Sequence, residues 1–151
     1  MESYSLNWVK DVFSHSYSFF VNGTVVGELK DSSLSGSKKA FLFGTKYVFE
    51  PEGVFKKQIN IINLSTKAIV GRISFNQFRW RATIYIGENS YLWKWDGYFL
   101  RKWGIYKNQK ERILSVDKRK EGLILVKEEE TPLLLLCGLL IRTRYYRMGY
   151  G

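Results

Sequence analysis

The sequence predicts an all-β fold with one buried helix: a roughly twelve-stranded antiparallel β-barrel that encloses a hydrophobic C-terminal α-helix. Three observations predict it. Apolar and polar residues alternate along most of the chain, in which 17% of the residues are aromatic. A short apolar motif recurs about every 44 residues. A wholly apolar segment, Pro132–Ile141, follows this β-patterned body.

The apolar segment is too short to cross a bilayer. A helix of this length spans about 15 Å, half of a ~30 Å hydrocarbon core. A helix that is apolar on every side must still be surrounded by apolar groups. We therefore expect it to fill a β-barrel that is too wide for its own side chains to fill.

The predicted strands follow from the period-two alternation. The clearest is Phe78–Ile86, where Trp80, Ala82 and Ile84 share one face and Arg79 and Arg81 share the other. The eleven predicted strands are Ser18–Val21, Val25–Lys30, Ala40–Phe43, Lys46–Glu50, Val54–Ile62, Ala68–Phe75, Phe78–Ile86, Ser90–Trp95, Tyr98–Lys107, Arg112–Val116 and Gly122–Glu128.

The repeat is visible in three short strings, each preceded by a hairpin signal. Val25–Leu29 recurs as Ile69–Ile73 and again as Ile113–Asp117. The preceding turn signals are Asn22-Gly23, Leu64–Lys67 and Lys107–Lys110. Three copies of about four strands predict roughly twelve strands.

The terminal helix, predicted over 132–147, has its own start and stop signals. Thr131 is a candidate N-cap, and Pro132 suits the first helical position. Glutamates at 128–130 and arginines at 142, 144 and 147 complement the helix dipole. Gly138 would let a bulky ring approach the helix. Alternatively, the helix is a lipid-inserting anchor, in which case deleting Pro132–Gly151 would leave a folded barrel.

Composition indicates a single domain, 1–151, with 24 basic and 14 acidic residues and a net charge of +10. One cysteine, Cys137, excludes an internal disulfide, and the N-terminal segment lacks the pattern of a signal peptide. We therefore expect a cytoplasmic protein, peripheral to the membrane if it binds lipid.

The basic excess favours an anionic partner, such as phospholipid headgroups, an acidic protein or nucleic acid. The candidate anion- or lipid-binding residues lie on three consecutive predicted strands, interleaved with Trp93, Trp95 and Trp103. Tryptophan beside cations is typical of membrane interfaces and of base-stacking surfaces, and also of an ordinary barrel wall. The five candidates are Arg79, Arg81, Lys94, Arg101 and Lys102.

Two further basic groups have simpler explanations. Lys118-Arg119-Lys120 is expected to be a solvated hairpin turn. The arginines after the apolar segment could contact anionic lipid, but we prefer a role at the helix terminus.

Catalytic and metal-binding signals are weak. The single histidine, His15, has no carboxylate or cysteine beside it, and Cys137 lies in the apolar segment, where burial makes a thiol inert. One histidine and one cysteine cannot make a usual zinc site, and neither nucleotide-binding glycine motif occurs. We therefore expect no enzyme activity, no metal and no cofactor.

With its β-hairpins, Gly122–Val126 and Gly97–Trp103, and its terminal Pro132–Ile141, the chain resembles the tubby C-terminal-like superfamily of tubby proteins, phospholipid scramblases and LURP-one-related proteins. The resemblance implies a barrel around a C-terminal helix and a binding module, with phospholipid headgroups as ligands in some relatives. The acidic calcium-binding segment of scramblases has no counterpart after the helix. No lipid-binding residue of tubby domains can be matched here.

We expect a non-catalytic binding module that recognises anionic phospholipid headgroups through its basic outer surface. The alternative is a structural or protein-interaction module with an acidic protein partner. Single-stranded nucleic acid is the weaker third option, because the sequence locates no basic groove.

Overall fold

The computed structural model describes residues 4–14, 16–31, 36–53, 57–76, 79–96, 101–127 and 131–150, with the backbone alone at 31 and 147–150. Twelve strands precede one helix in the described chain. They are β1 (Tyr4–Lys10), β2 (Tyr17–Val21), β3 (Thr24–Asp31), β4 (Lys38–Leu42), β5 (Thr45–Glu52), β6 (Gln58–Asn63), β7 (Ile69–Asn76), β8 (Arg81–Ile86), β9 (Asn89–Trp95), β10 (Lys102–Lys107), β11 (Lys110–Asp117), β12 (Glu121–Val126) and α1 (Leu133–Tyr150).

The strands form a closed antiparallel barrel in which each strand pairs with its neighbours in sequence. β1 closes the barrel by pairing with β12, with Tyr4 opposite Val126 and Val9 opposite Glu121. The predicted barrel is thereby confirmed. The strand list was wrong in omitting β1, although Leu6 and Trp8 alternate with polar residues and point into the core.

Helix α1 runs through the barrel and is buried on every side as far as Ile141. Its first turn is closed by the Leu134 and Leu135 amides, which donate to the carbonyls of Thr131 and Pro132 at 3.0 Å. The helix begins one residue later and continues further than the predicted 132–147. Glutamates 128–130 lie outside the described residues, so their predicted contact with the helix dipole stays a prediction.

Gly138 lets the helix approach the barrel wall, as the sequence predicted. A Cβ atom at this position would lie 2.5 Å from Cζ3 of Trp103 and 3.1 Å from Cδ1 of Ile105. Both side chains belong to β10 and are fully buried. The indole ring therefore occupies the space that any larger helical residue would need.

The four-strand repeat is present as a recurring β-bulge. The register shifts in the β2–β3, β6–β7 and β10–β11 hairpins, so that Val26, Val70 and Arg112 have no direct partner. Gly27 and Gly71 follow the first two bulges at equivalent positions. In the third copy the equivalent residue is Ile113 rather than Ser115, so the predicted alignment of that copy was two residues out.

The predicted strand Phe78–Ile86 begins later than its alternation indicated. β8 starts at Arg81, and Trp80 lies in the preceding turn with a left-handed φ of 55°. Trp80 therefore does not continue the strand that carries Ala82 and Ile84. Its ring contacts the buried Tyr145, and its side chain is 36% exposed. Phe78 and the predicted strand ends at 54–56, 98–100 and 128 lie outside the described residues.

Candidate binding surface

Four of the five predicted anion-binding residues lie at one end of the barrel, where β8 and β10 begin. Arg79 and Arg81 are exposed before and at the start of β8, and Arg101 and Lys102 hold the same positions at β10. Lys94, near the end of β9, stands opposite Arg81 in the register. The structure thus brings all five residues to the adjoining part of one wall, and we call this set the basic surface.

Lys94 is the least exposed member of the basic surface because it lies over an aromatic ring. Its Nζ atom is 4.8 Å from the ring centroid of Tyr106, at cation–π distance. The Tyr106 ring folds back over Gly104, whose missing side chain provides the space. Burial raises the pKa of Tyr106, and the nearby carboxylates Asp96 and Glu111 raise it further.

A shallow cavity of about 310 Å³ lies on the outer wall beside Lys94. Hydroxyl and amide groups from three strands and one turn line it together with the ammonium group. Such a lining offers several hydrogen-bond partners and one cation to a polar anionic group. The cavity is lined by Thr83, Ser90, Tyr91, Leu92, Lys94, Tyr106, Asn108 and Gln109.

The tryptophans that interleave with the basic surface in sequence do not share its outer face. Trp93 and Trp103 are fully buried and stack at 6.0 Å inside the barrel, and Trp95 packs edge-on against Trp93. Of the interpretations that the sequence left open for these tryptophans, the structure supports the barrel wall, because alternation turns their side chains inward. Trp80 is the tryptophan that reaches the surface here.

A second basic group continues the same barrel end. Lys118, Arg119 and Lys120, which we call the basic turn, are exposed between β11 and β12, as predicted. The amide of Asp117 donates to the carbonyl of Arg101 at 2.6 Å, which joins this hairpin to the start of β10. The basic surface and the basic turn are thus neighbours on one rim.

Two carboxylates moderate the charge of this rim. Glu121 forms a 3.8 Å ion pair with Lys118, and Asp96 is exposed at the end of β9. Among the described residues, no carboxylate forms an ion pair with Arg79, Arg81 or Lys102. The charges of these three side chains face solvent.

A buried ion pair lies beneath this rim. Arg142 of α1 is only 2% exposed, and its Nε lies 3.3 Å from Oδ2 of Asp117 at the end of β11. Its Nη2 donates to the carbonyls of Lys118 and Arg119 at 3.3 and 3.2 Å. The guanidinium also stacks on Trp8, 4.7 Å from the ring centroid.

Asp117 is the hub of this buried cluster. Its carboxylate accepts hydrogen bonds from Trp103 Nε1 at 2.8 Å, Trp8 Nε1 at 3.3 Å and the Ser115 hydroxyl. Burial raises the pKa of Asp117, although Ser115, Arg142 and the two indoles act in the opposite direction. Gly122 leaves room for the cluster, since a Cβ there would lie 2.5 Å from Asp117 Oδ1.

The cluster changes what can be expected of the helix-end arginines. Arg142 is enclosed by protein, and α1 continues for eight residues beyond it to Tyr150. For Arg142, both the contact with lipid and the preferred role at the helix terminus were therefore wrong. Arg144 is partly buried and lies 4.1 Å above the ring of Phe75. Burial lowers the pKa of its guanidinium. The side chain of Arg147 lies outside the described residues.

The C-terminal half of α1 is also tied to the start of β8. The hydroxyl of Tyr145 donates to the carbonyl of Arg81, and the Tyr145 ring contacts Trp80 at 5.5 Å and Phe75 at 5.7 Å. Burial raises the pKa of Tyr145 to about 12. Tyr145 therefore supports the backbone that presents Arg79 and Arg81.

The structure describes one of the two weak catalytic candidates, Cys137. Cys137 is fully buried within α1, and burial raises the pKa of its thiol well above the usual range. The Cys137 thiol therefore stays protonated and unreactive, as its place in the apolar segment predicted. His15 lies outside the described residues.

Two surface features were missed in the sequence. A groove of about 780 Å³ follows the outer wall of β1, β11 and β12, where Val9, Val116 and Leu123 are partly exposed. In addition, Val12 and Phe13 project from the loop after β1 with exposed fractions of 70% and 95%. The sequence does contain a signal for this loop. Two adjacent apolar residues stand between Asp11 and Ser14, directly after an alternating segment, where a polar loop would be expected.

No helix among the described residues has both the length and the apolar composition needed to cross a membrane. No model of a known protein family matches the chain, and no curated protein matches it either.

Proposed function

We propose that this chain is a non-catalytic module that binds anionic phospholipid headgroups at a membrane surface through Arg79, Arg81, Lys94, Arg101 and Lys102. The observation that carries the proposal is the convergence of these cations. The five residues come from three neighbouring strands and the segments before them, and all except the half-buried Lys94 are exposed. Among the described residues, Arg79, Arg81 and Lys102 have no ion-pair partner.

Convergence matters because a single exposed cation contributes little to binding. Each lysine or arginine near an anionic membrane contributes about 1 kcal/mol, so several acting together are required. The basic turn adjoins this patch and adds to the same field. The hydroxyl and amide groups around Lys94 can donate hydrogen bonds to a bound headgroup and accept hydrogen bonds from it.

We also propose that the chain is a compact member of the tubby C-terminal-like superfamily. The support is architectural: a twelve-stranded closed barrel whose C-terminal helix fills the interior. Phospholipid binding by some members agrees with the proposed ligand.

The test is vesicle binding by a charge-reversed variant, Arg79→Glu/Arg81→Glu. We expect its affinity for anionic vesicles to fall by about tenfold or more, because two favourable contacts become repulsive. Lys67→Glu/Lys110→Glu is the matched control, since both lysines are exposed at the opposite barrel end. Equal binding by the two variants would show that the basic surface is not the binding site.

An acidic protein partner is the second candidate function. The observation that favours it is the apolar groove beside Lys118, because protein interfaces combine apolar contact with a charged rim. In that case the purified protein would not bind anionic vesicles, and it would bind a defined acidic protein in a pull-down at low salt. Replacing Val116 and Leu123 by serine would then release the partner.

A further inference from the structure

We propose that Val12 and Phe13 form a membrane-inserting tip that enters the apolar edge of an anionic bilayer while the neighbouring rim contacts its headgroups. This inference rests on the proposed function and adds an orientation and an insertion site to it. Phe13 is 95% exposed and Val12 is 70% exposed, the two most exposed large apolar side chains among the described residues.

The loop is built to hold the two side chains away from the barrel. The carboxylate of Asp11 accepts from the Ser14 hydroxyl at 2.8 Å and from the Phe13 amide at 3.4 Å. The ammonium group of Lys10 donates to the Ser14 carbonyl at 3.0 Å, and the Asp11 amide donates to the Ser16 carbonyl at 2.8 Å. These bonds join Lys10, Asp11 and Ser14 to one another, while the side chains of Val12 and Phe13 stay exposed.

The tip belongs to the same barrel end as the proposed headgroup site. The amide of Lys10 donates to the carbonyl of Lys120 at 2.8 Å, which places the loop beside the basic turn. The basic turn adjoins Arg101, and the backbone carbonyl of Lys102 accepts a hydrogen bond from the Asp96 amide at 2.7 Å. Apolar tip, basic turn and basic surface therefore follow one another around one rim.

Trp80 gives the other side of this rim a second apolar group. It is 36% exposed between Arg79 and Arg81, and its ring packs on Tyr145 in the C-terminal half of α1. Its left-handed backbone lies in the turn before β8. Tryptophan is enriched at the headgroup level of membranes.

Apolar groups flanked by cations fit a lipid surface better than a protein surface. The cations face anionic headgroups, and the projecting side chains leave water for the acyl boundary just below them. An anionic bilayer therefore matches both the charge of this end and its exposed apolar side chains.

The experiment places an environment-sensitive fluorophore on the full-length protein at Val12→Cys, leaving Phe13 in place. The buried Cys137 is expected not to react. Ile69→Cys is the matched control, since Ile69 is also β-branched and 66% exposed but lies where β7 begins, at the opposite barrel end. Vesicles of phosphatidylcholine with about a third phosphatidylserine, carrying a quencher on the acyl chain, report insertion.

We expect a blue shift and acyl-chain quenching at position 12 and neither at position 69. Phe13→Ser should bind these vesicles about tenfold more weakly with an unchanged salt dependence, and Ile69→Ser should bind as the unmodified protein does. Binding without a fluorescence change at position 12 would overturn the inserting tip and leave the headgroup site standing. No binding to anionic vesicles would overturn both.

Discussion

Arginine and tryptophan meet at two places near the same barrel end, with opposite consequences. Arg142 lies between Trp8, Tyr146 and Asp117, whereas Arg79 and Arg81 flank Trp80 at the surface. The buried arginine binds a carboxylate and two backbone carbonyls and is enclosed by protein, so its guanidinium is closed to an outside ligand. The guanidinium groups of the exposed pair face solvent and can bind one. Burial, and not residue type, separates a structural contact from a candidate binding surface.

The buried cluster should be costly to break. Asp117→Ala removes the counter-ion of Arg142 and the acceptor of two indole groups, and loss of one partner of a buried ion pair costs about 3–5 kcal/mol. Denaturant unfolding measures this loss. The control is Asp96→Ala, an exposed aspartate of the neighbouring segment, for which we expect a change within about 0.5 kcal/mol. Similar values for the two variants would contradict the assigned structural role.

Gly138→Ala tests the packing of α1 against β10. In an open helix this change stabilises by about 1 kcal/mol. Here the new methyl group would lie 2.5 Å from the Trp103 ring, so we expect a loss of about 1–3 kcal/mol. Adding Trp103→Phe should relieve the clash, because the ring atoms nearest the new methyl group belong to the larger indole. Additive effects of the two changes would rule out the contact.

The two aspartates at this end should respond to pH with opposite signs. Burial raises the folded-state pKa of Asp117 above 3.8, so its contribution to stability is greatest below pH 3.8 and is lost as the pH rises through the raised value. Hydrogen bonds from Ser14 and Phe13 lower the pKa of Asp11, so its contribution is present above pH 3.8 and is lost on acidification.

The measurement compares the unfolding free energy of the unmodified protein with Asp117→Asn and Asp11→Asn across acidic pH. The advantage of the unmodified protein over Asp117→Asn should shrink as the pH rises, and its advantage over Asp11→Asn should grow. The same slope for both pairs would be inconsistent with the different environments of the two carboxylates.

Charge reversal at the exposed arginines should leave stability almost unchanged. Arg79→Glu/Arg81→Glu alters side chains that face solvent, so we expect the free energy of unfolding to stay within about 0.5 kcal/mol. The carbonyl of Arg81, which holds Tyr145, is retained in the variant. A large loss of stability would mean that these arginines, like Arg142, act within the fold.

The architecture was predictable because it depends on local patterns. Alternation, hairpin signals and one apolar segment were enough to indicate a closed barrel around a helix. β1 was overlooked although Leu6 and Trp8 alternate with polar residues, since it begins close to the start of the chain. Trp80 was misplaced because an unbroken alternation continued through a turn that only its left-handed backbone reveals.

The site was less predictable because it depends on which distant residues meet. The pairing of Asp117 with Arg142 requires a helix threaded through the barrel to its far end, and no local pattern indicates it. The basic residues were predicted from their places on three consecutive strands, and that grouping is present. Their continuation into the basic turn and the loop after β1 was not predicted, because it depends on β12 pairing with β1. The exposure of Phe13 depends on a loop held by Asp11, which composition does not show.

The most direct test of the central claim is co-sedimentation of the intact protein with neutral and anionic vesicles at low and at physiological salt. We expect binding to the anionic vesicles alone, weaker at the higher salt because exposed charges are screened within about 10 Å. Equal binding to both kinds of vesicle, or no binding at either salt, would contradict headgroup recognition by the basic surface.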